Sequence, residues 1–273
     1  MQRSTGFGVS PMIDTFAVGE HQTRSLQVDE IQSSQYGFPY HYIPSNVKFP
    51  NFARNWGFAA SYIAAIELVE DWLTLSNPQP GHRHMDFGCG DGGFVNALAA
   101  RDRLGNVSFS GIDFDANAIR WAEMFSVVSG TFRARDIATL PEKSYDSGTL
   151  IEVFEHVPPS EGDAFVEAIS RALKPSAPLF VTVPSTEKPL IDKHYRHFDF
   201  DTISTCFMEN FTVEEVFGFE KRTPMMRMAN RLMRNGRIYM ELKALSRLEI
   251  SQLAQKHDQL AGAGRIGLLL RKK

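Results

Sequence analysis

Three groups of residues in this chain have types and spacings suited to chemistry. The first is Asp86-Phe87-Gly88-Cys89-Gly90-Asp91-Gly92-Gly93, an acid followed by a glycine-rich turn. Glycine lets the backbone approach a ligand closely, and a carboxylate two residues before Gly88 favours a ligand with a cationic head. The second group is Glu152-x-x-Glu155-His156 and the third is His194-Tyr195-Arg196-His197. Histidine titrates near neutrality and can take a proton from a hydroxyl nucleophile. His156 is the first candidate base, followed by His197 and His194. Tyr195 and Arg196 are candidates to orient a substrate hydroxyl or anion. The same residues admit a second chemistry, in which Glu152, Glu155, His156 and His197 hold a divalent cation.

These groups need a scaffold that brings them together. The apolar run ending at Phe87 breaks into glycines, and Phe94-Val95-Asn96-Ala97-Leu98-Ala99 can open a helix, so the segment reads as strand, turn and helix. Residues 107–113 form a second strand-like run ending in Asp113. An acid at that position can accept both hydroxyls of a ribose. Asp115 reads as the N-cap of the helix that follows. Residues 145–157 read as a strand and the loop after it, residues 179–184 as a fully buried strand, and residues 169–173 as a helix stopped by Pro175. In an open α/β sheet, Glu152 to His156 and His194 to His197 then open at the carboxyl edge that carries the glycine turn.

Taken in this order, residues 80–200 resemble the class I S-adenosylmethionine (SAM) methyltransferases. The resemblance implies SAM as cofactor and S-adenosylhomocysteine (SAH) as product. It implies that Asp86, Phe87, Gly88, Cys89 and Gly90 lie in the loop that holds the methionine part. Asp113, with Phe114, would serve the ribose, Asp136 the exocyclic amine and Ile137 the adenine ring, and Glu152 joins the cofactor set. The Glu-x-x-Glu-His string also resembles that of small-RNA 2′-O-methyltransferases, whose metal engages terminal ribose hydroxyls. It occurs as well in metal-free methyltransferases of ubiquinone biosynthesis, and no metal is expected here. His-Tyr-Arg-His-Phe after a Val-Pro strand end is similar to methyltransferases encoded with glycan enzymes. The implied acceptor is a small molecule or glycan, methylated on oxygen. A non-catalytic SAM-binding subunit stays open as an alternative. A nicotinamide oxidoreductase is disfavoured, because Asp86 precedes the turn and Gly92 crowds the Gly-x-Gly-x-x-Gly spacing.

The chain has 273 residues, of which 43% are hydrophobic, enough for one sizeable core with appendages. The net charge of −3 gives no global bias toward nucleic acid. Cys89 and Cys206 are the only cysteines, which suits a reducing compartment, so a cytoplasmic location is expected. No run of eighteen apolar residues occurs. Residues 1–35 read as a flexible arm, and 36–76 as an aromatic segment with a cap helix. In that segment, Tyr40 and His41 are candidate substrate contacts and Trp56 begins an apolar stripe. Residues 77–273 read as the cofactor-binding domain. The expected fold is a Rossmann-like, mostly parallel seven-stranded sheet with helices on both faces and an antiparallel C-terminal hairpin. A helical insertion, residues 224–262, precedes the last strand. Between Lys221 and Arg247 lie eight basic residues, and Glu241 is the only acid. Methionine and leucine are interleaved with them. Such a stretch can grip an anionic or lipid-linked substrate, a membrane surface or a partner, or can be a solvated helical face.

Overall fold

The computed structural model describes residues 27–37, 39, 41, 59–128, 130–233, 238, 240 and 242–273. A seven-stranded sheet organises them. Its strands are β1 (His82–Phe87), β2 (Val107–Asp113), β3 (Phe132–Ala134), β4 (Ser147–Ile151), β5 (Pro178–Pro184), β6 (Phe211–Lys221) and β7 (Ala263–Lys272). The spatial order is β3-β2-β1-β4-β5-β7-β6. The pairings from β3 through β5 are parallel, and β7 runs antiparallel to both β5 and β6. The expected C-terminal antiparallel pair is therefore present.

The helices are α1 (residues 27–35), α2 (Ala59–Leu75), α3 (Gly93–Ala99), α4 (Ala116–Met124), α5 (Gly162–Ala172), α6 (Phe200–Phe207), α7 (Pro224–Met233) and α8 (Lys243–Leu253). Alternation along β5 separates two apolar cores. Leu179, Val181 and Val183 enter one with Met85, Phe87, Leu150 and Ile169 of α5. Phe180 enters the other with Phe94 and Leu98 of α3 and Val69 and Leu73 of α2. A period of two on a strand produces this division, and each fully buried Leu, Val or Phe contributes about 1.5–3 kcal/mol. Asp115 caps α4 as expected, accepting from the backbone N–H groups of Asn117 and Ala118 at 2.8 and 2.9 Å.

The structure differs from expectation at the N-terminal side. Residues 27–35, expected to belong to the arm, are helical. Ser33 Oγ donates to Asp115 Oδ2 at 2.5 Å, and Trp121 Nε1 donates to the Tyr36 carbonyl at 2.9 Å. A polar segment without periodicity gains order here from tertiary contacts, not from an amphipathic face of its own. Within residues 36–76, the expected cap helix is described as Ala59–Leu75. Tyr40 and Trp56 lie outside the described residues.

Candidate active site

The sheet order reverses at β1, which has β2 on one side and β4 on the other. A cavity of ≈ 1170 Å³ opens at the carboxyl ends of these strands. This is the switch point where open α/β sheets bind ligands. Asp86, Gly88, Cys89 and Gly90 line it from β1 and its turn, and Asp113 and Phe114 from β2. Asp136 and Ile137 contribute from the loop after β3. Glu152, Glu155 and His156 line it from the β4 exit, and His194 and His197 from the segment after β5. Residues far apart in sequence thus converge at one edge.

The glycine turn forms a cradle. Gly88 (φ +79°) and Gly90 (φ +52°) occupy the left-handed region. A Cβ on Gly88 would meet Val153 Cγ2 at 2.5 Å, and one on Gly90 would meet Tyr36 Oη at 2.5 Å. Both positions therefore require glycine for conformation and for space. Behind the cradle, Asp86 is held by strand neighbours. Thr149 Oγ1 donates to Asp86 Oδ1 at 2.6 Å, and His84 Nε2 lies 3.0 Å from Thr149 Oγ1. His84 Nδ1 lies 2.8 Å from Ser147 Oγ. Burial drives the Asp86 pKa up to about 7 against the Thr149 hydrogen bond. Asp113 receives the N–H of Gly90 on Oδ2 and that of Asp115 on Oδ1, each at 2.9 Å. Burial still raises its pKa to about 6. Two desolvated acids facing one cavity favour a ligand that brings positive charge and hydroxyl donors.

The β4 exit holds a second acidic pair. Glu152 adopts φ +54°, a left-handed conformation unusual for a residue with a side chain. Its Oε2 accepts from Arg265 Nε at 2.9 Å, while Oε1 is buried without a partner. Glu155 is 1% exposed, and its Oε2 also lacks a partner. Burial, then Glu152, pushes its carboxyl well above the usual range.

Opposite these acids stand three histidines with assignable tautomers. His197 Nδ1 lies 3.1 Å from the Lys188 carbonyl, which can only accept, so Nδ1 carries the proton. His197 Nε2 then accepts from His194 Nδ1 at 2.8 Å, leaving a lone pair on His194 Nε2. His156 Nδ1 donates to the Lys193 carbonyl at 2.8 Å, leaving a lone pair on His156 Nε2. Burial lowers the pKa of His156 to about 4 and that of His194 to about 3. Both rings are neutral at pH 7. One ligand atom each from Glu155, His156 and His194 falls within 4.8 Å of the others, so among the described residues these three are a set able to hold a metal. The metal set expected from sequence differs: Glu152 is engaged by Arg265 and His197 by its neighbours.

Not every expected contact faces the cavity. Phe87 is a fully buried core side chain behind the cavity. Tyr195 and Arg196 are not among the lining residues; Arg196 lies over the rings of Phe154 and Phe198, 5.0 and 5.2 Å from their centroids. Asp136 lines the cavity but also caps its own turn, accepting from Ala138 N at 2.8 Å. His41 lines the cavity, stacks on Tyr62 at 4.8 Å and pairs with Asp91 through Nδ1 at 2.7 Å.

Sequence reading missed several lining residues. Gln32 comes from α1, whose polar sequence gave no signal, and Tyr36 from the turn just after it. Arg265 was detectable as a charge just before the apolar run Ile266–Leu270 of the last strand. Lys193 was adjacent to the histidine group; burial lowers its pKa.

A doubly wound sheet with an acid-flanked glycine cradle at its switch point defines a nucleoside-cofactor-binding α/β protein. Residues 60–220 match the family model described as a methyltransferase domain, and the chain belongs to that family. Among curated relatives, the ubiquinone biosynthesis O-methyltransferase of Paracidovorax citrulli is 27% identical over 144 residues, 49% of this chain and 58% of that protein. Its counterpart in Xanthomonas campestris pv. campestris is 31% identical over 145 residues, 50% of this chain and 58% of that protein. The chain thus spans little more than half the length of these relatives. Among solved structures, magnesium protoporphyrin IX methyltransferase from Synechocystis PCC 6803 with bound SAH superposes with a TM-score of 0.59 at 16% identity. That match covers 92% of this chain and 99% of the other. A SAM-dependent methyltransferase from Archaeoglobus fulgidus gives 0.51 at 19% identity, covering 76% of this chain and 94% of the other. The fold is shared with both.

Proposed function

We propose that this protein transfers a methyl group from SAM to an oxygen nucleophile of a small-molecule or glycan acceptor. The carrying observation is the pair of buried acids, Asp86 and Asp113, on either side of a cradle that a Cβ would fill. SAM supplies an electrophilic methyl on a sulfonium, which leaves as a neutral thioether. Asp86 offers negative charge to a cationic ligand. Asp113, with both oxygens pinned by backbone N–H groups, is oriented to receive a ribose diol. Asp136 and Ile137 line the same cavity, which supports their meeting the adenine edge and face. His156 and His194 present neutral imidazole lone pairs that can accept the acceptor's hydroxyl proton. The names of the curated relatives support oxygen as the methylated atom. The basic segment supports an anionic or lipid-linked acceptor only at this level of chemistry.

Calorimetric titration with SAH tests the cofactor assignment. Binding that weakens at least about tenfold in Asp113→Ala is expected, since two hydroxyls lose their acceptor. Absence of binding would overturn the reading. Transfer of labelled methyl to a panel of phenols and sugars then tests the acceptor class.

The close set Glu155, His156 and His194 favours a second reading, in which a divalent cation assists the hydroxyl nucleophile. Two lone-pair imidazoles and a carboxylate are a fitting donor set. Titration with Mn²⁺ or Zn²⁺ alone, without cofactor, distinguishes the two. Heat lost in His194→Ala supports a metal site, and no heat rejects it.

A further inference from the structure

The helices between β6 and β7 are anchored to the domain along one side. On α7, Met226 is buried, and Asn230, four residues on, donates through Nδ2 to Glu249 Oε1 of α8 at 2.5 Å. Arg222 also donates to Glu249 Oε1, at 2.9 Å, and to Ser61 Oγ of α2 at 2.9 Å. These contacts fix which face of the helices meets the domain.

The opposite face is apolar and basic. Met225, Met228 and Leu232 are spaced three and four residues apart, forming one stripe, and are 60, 61 and 65% exposed. Ile238, Met240, Leu242 and Leu248 are exposed as well. Arg227, Arg231, Lys243 and Arg247 are exposed beside it. The one buried acid of these helices, Glu249, faces inward on Arg222. Seven large hydrophobics between Met225 and Leu248 are exposed, an accumulation that marks an interaction surface. Methionine adapts to an irregular apolar contact, and a basic rim around an apolar stripe complements an anionic, fluid interface.

We propose that α7 and α8 dock this protein on the surface of an anionic lipid bilayer. Met225, Met228 and Leu232 enter the headgroup boundary while Arg227 and Arg247 pair with lipid phosphates. Among the described residues no helix is long and apolar enough to cross a membrane, so the attachment is peripheral. It is reversible, and salt weakens its electrostatic part.

Co-sedimentation of the full chain with phosphatidylcholine vesicles, with and without phosphatidylglycerol, tests this. Binding to the anionic vesicles, released by high salt, is the expected result. The double variant Arg227→Glu/Arg247→Glu should weaken partitioning at least about twentyfold. Met225→Glu/Met228→Glu/Leu232→Glu should abolish it with an unchanged circular dichroism spectrum and melting temperature. Equal binding to neutral vesicles, or no binding at all, overturns the proposal. So does a wild-type dimer that the triple variant makes monomeric without any lipid binding, which would assign the face to a second copy of this chain.

Discussion

The imidazoles of His156 and His194 meet edge to face, with ring centroids 4.7 Å apart and planes at 88°. Each uses Nδ1 as a donor and keeps its Nε2 lone pair. The two rings come from loops after different strands, so the pairing is a product of the sheet edge and not of local sequence.

Burial determines how this pair titrates. His156 and His194 are depressed to about 4 and about 3, mainly by desolvation. Each should remain neutral as pH falls through 6.5 and protonate only near those lower values. NMR titration of the ring protons checks this, and a midpoint near 6.5 for either ring would reject the buried arrangement. Replacing either histidine with alanine should lower turnover by about 10²–10⁴-fold if it serves as base, with SAH affinity unchanged.

The contact of Gly90 with Tyr36 ties the N-terminal helix to the cofactor cradle. Gly90→Ala must accept both a left-handed residue, costing about 1 kcal/mol, and a Cβ 2.5 Å from Tyr36 Oη. It should weaken SAH binding at least about tenfold. Adding Tyr36→Phe removes the hydroxyl and should restore part of that loss, leaving the backbone strain. Identical affinities for the single and double variants, read by calorimetry, would show that α1 does not press on the cradle.

Legibility of the sequence followed the range of its interactions. The strand, turn and helix at Asp86 to Ala99 were readable, because apolar runs and glycines are local signals. The Asp115 cap was readable for the same reason, and the seven-stranded sheet was implied by the family resemblance that these units carry. The convergence of His156 with His194 was readable only as a common sheet edge. Which atoms meet was not, because it depends on hydrogen bonds to the Lys188 and Lys193 carbonyls. Arg196 looked like a substrate contact from its neighbours in sequence, yet it packs over two phenylalanine rings. Helix α1 was illegible, since its order comes from contacts to Asp115 and Trp121 more than eighty residues away.

His84, which backs Asp86 through Thr149, supplies a stability signature. It is 1% exposed between Ser147 and Thr149, and burial, then His82, lowers its pKa to about 3. The unfolded chain binds a proton near pH 6.5 that the folded chain refuses. The stability this histidine contributes is therefore present above 6.5 and is lost as pH falls toward 3, by up to about 1.4 kcal/mol per pH unit. Denaturant unfolding of wild type and His84→Gln from pH 7 to pH 4 should give a difference that shrinks toward acid. A pH-independent difference would mean that the ring is accessible to protons.

Asp86 links cofactor binding to protons. Its carboxyl is raised to about 7 by burial, with Asp113 adding to the rise, so the free protein carries it partly protonated at neutral pH. A ligand bearing positive charge beside it stabilises the ionised form and lowers that pKa. Binding should therefore release protons. Affinity should increase as pH rises from about 5 to about 8, since the proton competes with the cation. Asp113, raised to about 6, adds to the lower part of that window. Calorimetry of SAH binding at pH 6.5, in two buffers of different ionisation enthalpy, measures the released protons directly. Asp86→Asn should remove most of the release and lower affinity, because the amide keeps the shape but offers no charge. Proton release unaltered in Asp86→Asn would place the titrating group elsewhere, leaving Asp113 as the acid that senses the ligand.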